Sequence, residues 1–242
     1  MSAIELIAHR GYPRHYPENT LVGFEAAAAA GARFVETDVQ LSSDGVPFLF
    51  HDRNMDRVCG IDAAIGDHSA AQLDAIGASE KVRFGDAFAD ERIPRLSAFV
   101  QWLQRHPEVH AFVEIKRGTI ERFGIETVLA TVAQELEPVR DRCILISFSY
   151  EFMLAARHAE YGPLGVVLEH WGDRKLEIVD HIAPEYLFLD VEFLPRWRSW
   201  RIPGPKLAVY EVDRPAQAQR LATRGADFIE TFSFGEMLQA LT

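Results

Sequence analysis

Phe34-Val35-Glu36-Thr37-Asp38-Val39-Gln40-Leu41 alternates without a break, so Glu36, Asp38 and Gln40 share one face of a strand and Val35, Val39 and Leu41 the other. Alone, such a strand reads as half-buried, with its polar face in solvent. The rest of the chain changes that reading. Apolar runs of strand length recur at 4–9, 110–116, 143–148, 164–169, 186–191, 206–212 and 228–231, and helical patterns lie at 20–30, 96–105, 120–137, 151–160, 175–182, 215–224 and 235–241. Eight strands with interleaved helices in 242 residues predict the α/β class and a (β/α)8 TIM barrel. The poorest helix is expected between 191 and 206, where Pro195, Pro203 and Pro205 leave room for about two turns. Barrel strands have helices outside and packed side chains inside, so neither face of 34–41 meets water. Two carboxylates aimed inward then repel each other unless a cation lies between them.

Residues 53–94, rich in Gly and Asp, break the alternation. Within them Ser69-Ala70-Ala71-Gln72 is a capping-box pattern ahead of a short helix that ends near Gly77. The segment is read as a small insertion after the second strand, lying over the barrel mouth, because loops that follow strands build the active-site face of such barrels. No repeat or linker marks a second unit, and 1–242 is read as a single barrel domain. Asn19 is expected to cap the helix that begins at 20.

The chain carries 25 Lys+Arg against 36 Asp+Glu, a net charge of −11. That balance disfavours nucleic acid or an anionic membrane as the partner, since both need basic patches. Cys59 and Cys143 form no C-x-x-C pair, which argues against a disulfide framework or a thiolate zinc site and for a reducing cytosol. No apolar run approaches the roughly 20 residues of a membrane helix, and 1–7 lacks a basic n-region, so a cytoplasmic protein without membrane insertion is expected.

Several residues carry chemistry. His9-Arg10-Gly11 ends the first strand, where Arg10 offers a planar fork for phosphate or carboxylate. The run 110–116 turns Ala111, Val113 and Ile115 toward the helices and Glu114 and Lys116 inward, beside Glu36 and Asp38. Three convergent carboxylates with water completing the shell suit Mg²⁺ or Ca²⁺. The competing arrangement, a salt bridge from Lys116 to one carboxylate, leaves two charges uncompensated. His51 follows the apolar run 46–50, and Asp52 can fix its tautomer. Two histidines beside such a cluster make an acid–base pair. The stretch 195–201, with Trp197 and Trp200, reads as a surface turn whose tryptophans pack on a neighbour rather than as a grip for an anion or a base.

His9-Arg10-Gly11, Pro17-Glu18-Asn19-Thr20, Glu36-Thr37-Asp38-Val39, Asp44-Gly45-Val46-Pro47 with His51-Asp52, Ile93-Pro94-Arg95-Leu96 and Glu114-Ile115-Lys116 together resemble the glycerophosphodiester phosphodiesterases of the bacterial, cytoplasmic type. The resemblance implies the same barrel with its insertion. It also implies metal-dependent hydrolysis of a small-molecule glycerophosphodiester, such as glycerophosphocholine or glycerophosphoethanolamine, to sn-glycerol 3-phosphate and an alcohol. Carried over by position, Glu36, Asp38 and Glu114 hold one divalent cation (Mg²⁺ or Ca²⁺, with Mn²⁺ a further candidate). His9 and His51 are the acid and base, and Arg10 and Lys116 contact phosphate. Two places depart from the family pattern: Tyr210-Glu211-Val212-Asp213 stands where many members have Trp-Thr-Val-Asn, and Thr231-Phe232 where they have Thr-Asp. Tyr210 keeps an aromatic wall for substrate. A lysophospholipase D-type enzyme acting on lysophospholipids and a non-catalytic glycerophosphodiester-binding barrel are the alternatives, and the complete histidine–carboxylate set argues against the second. Oligomeric state has no signal in the sequence.

Overall fold

The computed structural model describes residues 4–196 and 200–242. The strands are β1 (Glu5–Ala8), β2 (Phe34–Leu41), β3 (Pro47–Leu49), β4 (His110–Ile115), β5 (Cys143–Ser147), β6 (Leu164–Leu168), β7 (Tyr186–Asp190), β8 (Lys206–Tyr210) and β9 (Phe228–Thr231). All but β3 run parallel in the order β1-β9-β8-β7-β6-β5-β4-β2, and the β1–β2 pairing closes the ring into the eight-stranded barrel. The expected TIM-barrel architecture is therefore present. β3 is an addition: it pairs antiparallel with β2, from Val39↔Leu49 to Leu41↔Pro47, and so turns the apolar run 46–50 back along the strand that carries Glu36 and Asp38.

Period-two alternation sorts the barrel side chains into two sets. Val35, Val39, Ala111, Val113, Ile115, Leu145, Val166, Leu189 and Val209 join the large core between sheet and helices. Ile7, Phe112, Ile144, Ile146, Val167, Phe188, Ala208 and Phe228 fill the barrel interior. The middle of the interior is thus apolar up to the level where Glu36, Asp38 and Glu114 enter toward the strands' C-terminal ends. Gly165 makes room in this fill. A Cβ there would lie 2.7 Å from Ile146 Cγ2 and 3.3 Å from Tyr186 Cβ. Gly165→Ala is expected to cost about 1–3 kcal/mol through overpacking, read as a lower midpoint in urea unfolding.

The helices that cover the barrel include α1 (Leu21–Ala29), α2 (Asp56–Cys59), α3 (Ala70–Leu73), α4 (Lys81–Phe84), α5 (Leu96–Arg105), α6 (Arg117–Phe123), α7 (Ile125–Leu136), α8 (Tyr150–His158), α9 (Glu177–Ile182), α10 (Pro215–Arg224) and α11 (Phe234–Leu241). Four sequence expectations need correction. The helix at 120–137 is two helices, because Gly124 at φ +82° breaks it between α6 and α7. The cap of α1 is Thr20, whose hydroxyl accepts from Gly23 N–H, while Asn19 sits at φ +54° with its side chain turned to the barrel. Ser69 does form a capping box with Gln72, but α3 ends at Leu73 rather than near Gly77. Between β7 and β8 the described residues form one 3₁₀ turn, Val191–Phe193, instead of two helical turns. Trp200 is buried and donates Nε1–H to Pro195 O at 3.0 Å, whereas Trp197 lies outside the described residues. Among the described residues no helix is long and apolar enough to cross a membrane.

Residues 53–94 build a small apolar cluster of their own with β3, made of Phe48, Phe50, Met55, Val58, Ile65, Leu73 and Ile93. The segment is fastened to the loop after β1. Glu80, almost fully buried, accepts Glu18 N–H at 2.7 Å and also pairs with Arg83, which itself donates to Pro13 O. It returns along β3, where Leu49 N–H donates to Pro94 O at 2.8 Å.

Candidate active site

Barrel register decides what meets at the strand ends. Asp38 pairs across to Glu114 and Val39 to Ile115, so the carboxylates of β2 and β4 point into the barrel at one level. His9 and Arg10 follow β1, Lys116 follows β4, and His51 follows β3. With Tyr210, Glu36 and Glu114 they line a cavity of about 180 Å³, closed below by Ile146, Val167 and Phe188. Seven of the eight residues expected from the sequence line this cavity. The eighth, Asp38, lies just behind it, 1% exposed, and is bound to two of the lining cations.

Asp38 is the most heavily compensated group. Lys116 Nζ donates to its Oδ1 at 3.0 Å, Arg10 Nε lies 3.2 Å from Oδ2, and Asn19 Nδ2–H donates to Oδ2 at 2.8 Å. Burial pushes its pKa up, but the Lys116 and Arg10 charges overcome that and hold the carboxyl well below the usual range. Lys116 also donates to Glu114 Oε1 at 2.8 Å, so it spans two carboxylates, one more than the salt bridge weighed against the cation in the sequence. Glu36 is left with little. Its Oε2 accepts Arg10 N–H at 3.2 Å and lies 3.7 Å from His9 Nε2, while Oε1 is buried with no hydrogen-bond partner. Burial, reinforced by Asp38 and Glu230, pushes its pKa well up. Ligand atoms of Glu36, Asp38 and Glu114 lie within 4.8 Å of one another. An orphaned, buried carboxylate oxygen in an all-oxygen set of this span fits a hard divalent cation.

The two histidines are held differently. His9 is buried, which pushes its pKa well down with help from the Arg10 charge. Its ring stacks on Phe232 at 4.6 Å with the planes 7° apart, and its Nδ1 faces Glu211 Oε1 at 3.7 Å. His51 is half-exposed, and its Nδ1 shares a 2.7 Å hydrogen bond with Asp52 Oδ1. Gln40 fixes the segment that carries it by donating Nε2–H to Phe50 O at 2.9 Å and to Asp52 O at 2.7 Å.

Arg57 on α2 joins the two halves of the site. Its Nε–H donates to Asp52 Oδ2 and its two terminal nitrogens donate to Glu18 Oε2 and Oε1, each at 2.7 Å, and Glu18 Oε1 also receives Arg10 Nη1–H at 3.3 Å. One guanidinium from the insertion thus connects the His51–Asp52 pair to Arg10. Sequence reasoning missed Arg57, Glu211, Phe232 and Glu230 as members of this site, and it assigned Asn19 to a cap. Glu230 had a signal, since it sits two places from Phe228 on β9 and therefore shares its inward face.

The Glycerophosphoryl diester phosphodiesterase family profile matches residues 9–231. The chain is 30% identical over 233 residues to a glycerophosphodiester phosphodiesterase of Caldanaerobacter subterraneus subsp. tengcongensis, covering 93% of both chains. It is 26% identical to human glycerophosphodiester phosphodiesterase 1, over 93% of this chain and 70% of that one. In fold it is similar to an Oleispira antarctica phosphodiesterase solved in complex with the product sn-glycerol-3-phosphate, with a TM-score of 0.85 at 22% identity over 98% of this chain and 96% of that one.

Proposed function

The chain belongs to the glycerophosphoryl diester phosphodiesterase family, and from that premise we propose that it hydrolyses glycerophosphodiesters such as glycerophosphocholine and glycerophosphoethanolamine to sn-glycerol 3-phosphate and an alcohol. The observation that carries the reading is the convergence of two histidines, two cations and the carboxylates on a single cavity of about 180 Å³ with an apolar floor. Glu36, Asp38 and Glu114 would hold one divalent cation, Mg²⁺ or Ca²⁺, which when bound lowers the barrier by polarising a phosphoryl oxygen.

The chain's own groups do the rest. Arg10 and Lys116 face the non-bridging oxygens, where their charges offset the negative charge that otherwise resists attack. His51 engages Asp52 through Nδ1, which leaves Nε2 as the nitrogen for proton transfer. His9, kept neutral by burial, can accept a proton without first losing one. One of the two takes a proton from the attacking oxygen as it bonds to phosphorus, and the other, protonated, gives one to the departing alkoxide as the P–O bond breaks. The attacking oxygen is that of water, or that of the neighbouring glycerol hydroxyl, in which case water afterwards opens the cyclic phosphate. Tyr210 and Phe148 wall the cavity beside them.

The test is a product assay on glycerophosphocholine, glycerophosphoethanolamine and lysophosphatidylcholine micelles with Mg²⁺, Ca²⁺, Mn²⁺ or chelator. Glycerol 3-phosphate released from the water-soluble diesters, with metal only, is the expected result. Turnover confined to the micelles would overturn the substrate reading, and binding without turnover under every metal would overturn the catalytic one. Arg57 gives a separate prediction as a positioning residue. Arg57→Met should lower kcat about tenfold to a hundredfold by freeing the His51–Asp52 pair, with a smaller change in KM. Arg57→Lys, which cannot bridge two carboxylates in the same plane, should recover only part of the loss. Steady-state kinetics on both variants check this.

A further inference from the structure

Lys116 and Arg10 already compensate Asp38, and Lys116 compensates Glu114. The charge left over lies elsewhere. Glu36 and Glu230 are 2% and 3% exposed, both line the cavity, and each has an Oε1 that is buried with no hydrogen-bond partner. An ionised carboxylate in such a place is expensive unless a cation faces it. Barrel closure brings the two together: β1 pairs with β9 through Ile7↔Glu230 and with β2 through Ala8↔Val35, so Glu230 and Glu36 flank β1 from opposite sides. Ligand atoms of Glu36, Glu230 and His9 lie within 4.8 Å of one another, the same span as the Glu36, Asp38 and Glu114 set, and Glu36 is common to both.

We propose that Glu230 is a further cation ligand of this centre, joining the Glu36, Asp38 and Glu114 set through its neighbour Glu36. The inference rests on the cation reading given above. His9 lies beside this pair of carboxylates and keeps its place for proton transfer. An added oxygen ligand raises the charge count around the ion, and charge count is what sets affinity in oxygen-ligated sites.

The experiment is a titration of the purified, metal-free enzyme with Mn²⁺, following free Mn²⁺ by electron paramagnetic resonance, for the wild type and Glu230→Gln. The variant should bind Mn²⁺ about tenfold or more weakly, and saturating Mn²⁺ should raise its melting temperature less than it raises that of the wild type. Its metal-free form should melt no lower than the wild type, because the carboxylate it replaces is buried with an unpartnered oxygen. A merely structural Glu230 would lower the metal-free melting temperature and leave Mn²⁺ affinity alone. Should the amide not fold, Glu230→Met, which suits the apolar floor beneath, gives the same comparison. Equal Mn²⁺ affinity in wild type and variant overturns the role of Glu230 while leaving the cation reading intact. No Mn²⁺ binding by the wild type overturns both.

Discussion

In the His9→Gln enzyme, release of glycerol 3-phosphate from glycerophosphocholine is expected to fall about 10²–10⁴-fold, the range typical of losing one positioned proton-transfer group. The structure gives this substitution few ways to be compensated. The imidazole is fixed by its stack on Phe232 at 4.6 Å, with Glu36 Oε2 at 3.7 Å from Nε2 and Glu211 Oε1 at 3.7 Å from Nδ1. A Gln amide fills a similar volume but cannot exchange a proton near neutral pH. His51 also lines the cavity, half-exposed and hydrogen-bonded to Asp52, and carries a separate proton-transfer role. The fall should appear in kcat, with the thermal midpoint nearly unchanged. Turnover within tenfold of the wild type would remove His9 from the mechanism.

Chelation has the second large effect. Stripping divalent cations should abolish turnover, with a loss of at least about three decades, because Lewis-acid stabilisation is worth several kcal/mol and each 1.36 kcal/mol is tenfold. The sign of the local field adds to this. Without a cation, the cavity that receives an anionic substrate is lined by Glu36, Glu114, Glu211 and Glu230, with Arg10 and Lys116 as its basic side chains. KM should therefore rise as kcat falls, and titration with Mg²⁺, Ca²⁺ or Mn²⁺ should restore both. Glu36→Gln should resist restoration, since the orphaned oxygen of Glu36 is one of the proposed cation ligands. Unchanged turnover after exhaustive chelation would refute metal dependence.

The barrel and most of the cavity lining were legible because period-two alternation has a fixed meaning once both faces of a strand are buried. At 34–41 and 110–116 it assigned Glu36, Asp38 and Glu114 to the inside and Val35, Val113 and Ile115 to the outside, and the two cores divide in that way. Long-range partners were not legible. Arg57 reaches Glu18 across 39 positions, and Glu80 reaches Glu18 across 62, which no local pattern encodes. Asn19 is a residue type that suits a cap, and only the fold shows its φ of +54° and the hydrogen bond by which its side chain serves Asp38 instead. Strand β3 was hidden because three residues, Pro47–Leu49, are too few for alternation to register, and the pairing with β2 that makes them a strand is itself non-local.

The insertion has its own apolar cluster and meets the loop after β1 largely through ion pairs and hydrogen bonds from Arg57, Glu80 and Arg83. Such a unit is expected to loosen from the loop after β1 at lower free energy than the barrel strands part, because these polar fastenings can be exchanged for water while the barrel core stays closed. Competence and foldedness are then separate properties of the chain. Raised salt is expected to weaken the Arg57 bridge and lower turnover in molecules whose barrel is still intact, and dilution to restore it without any strand having to find its partner again.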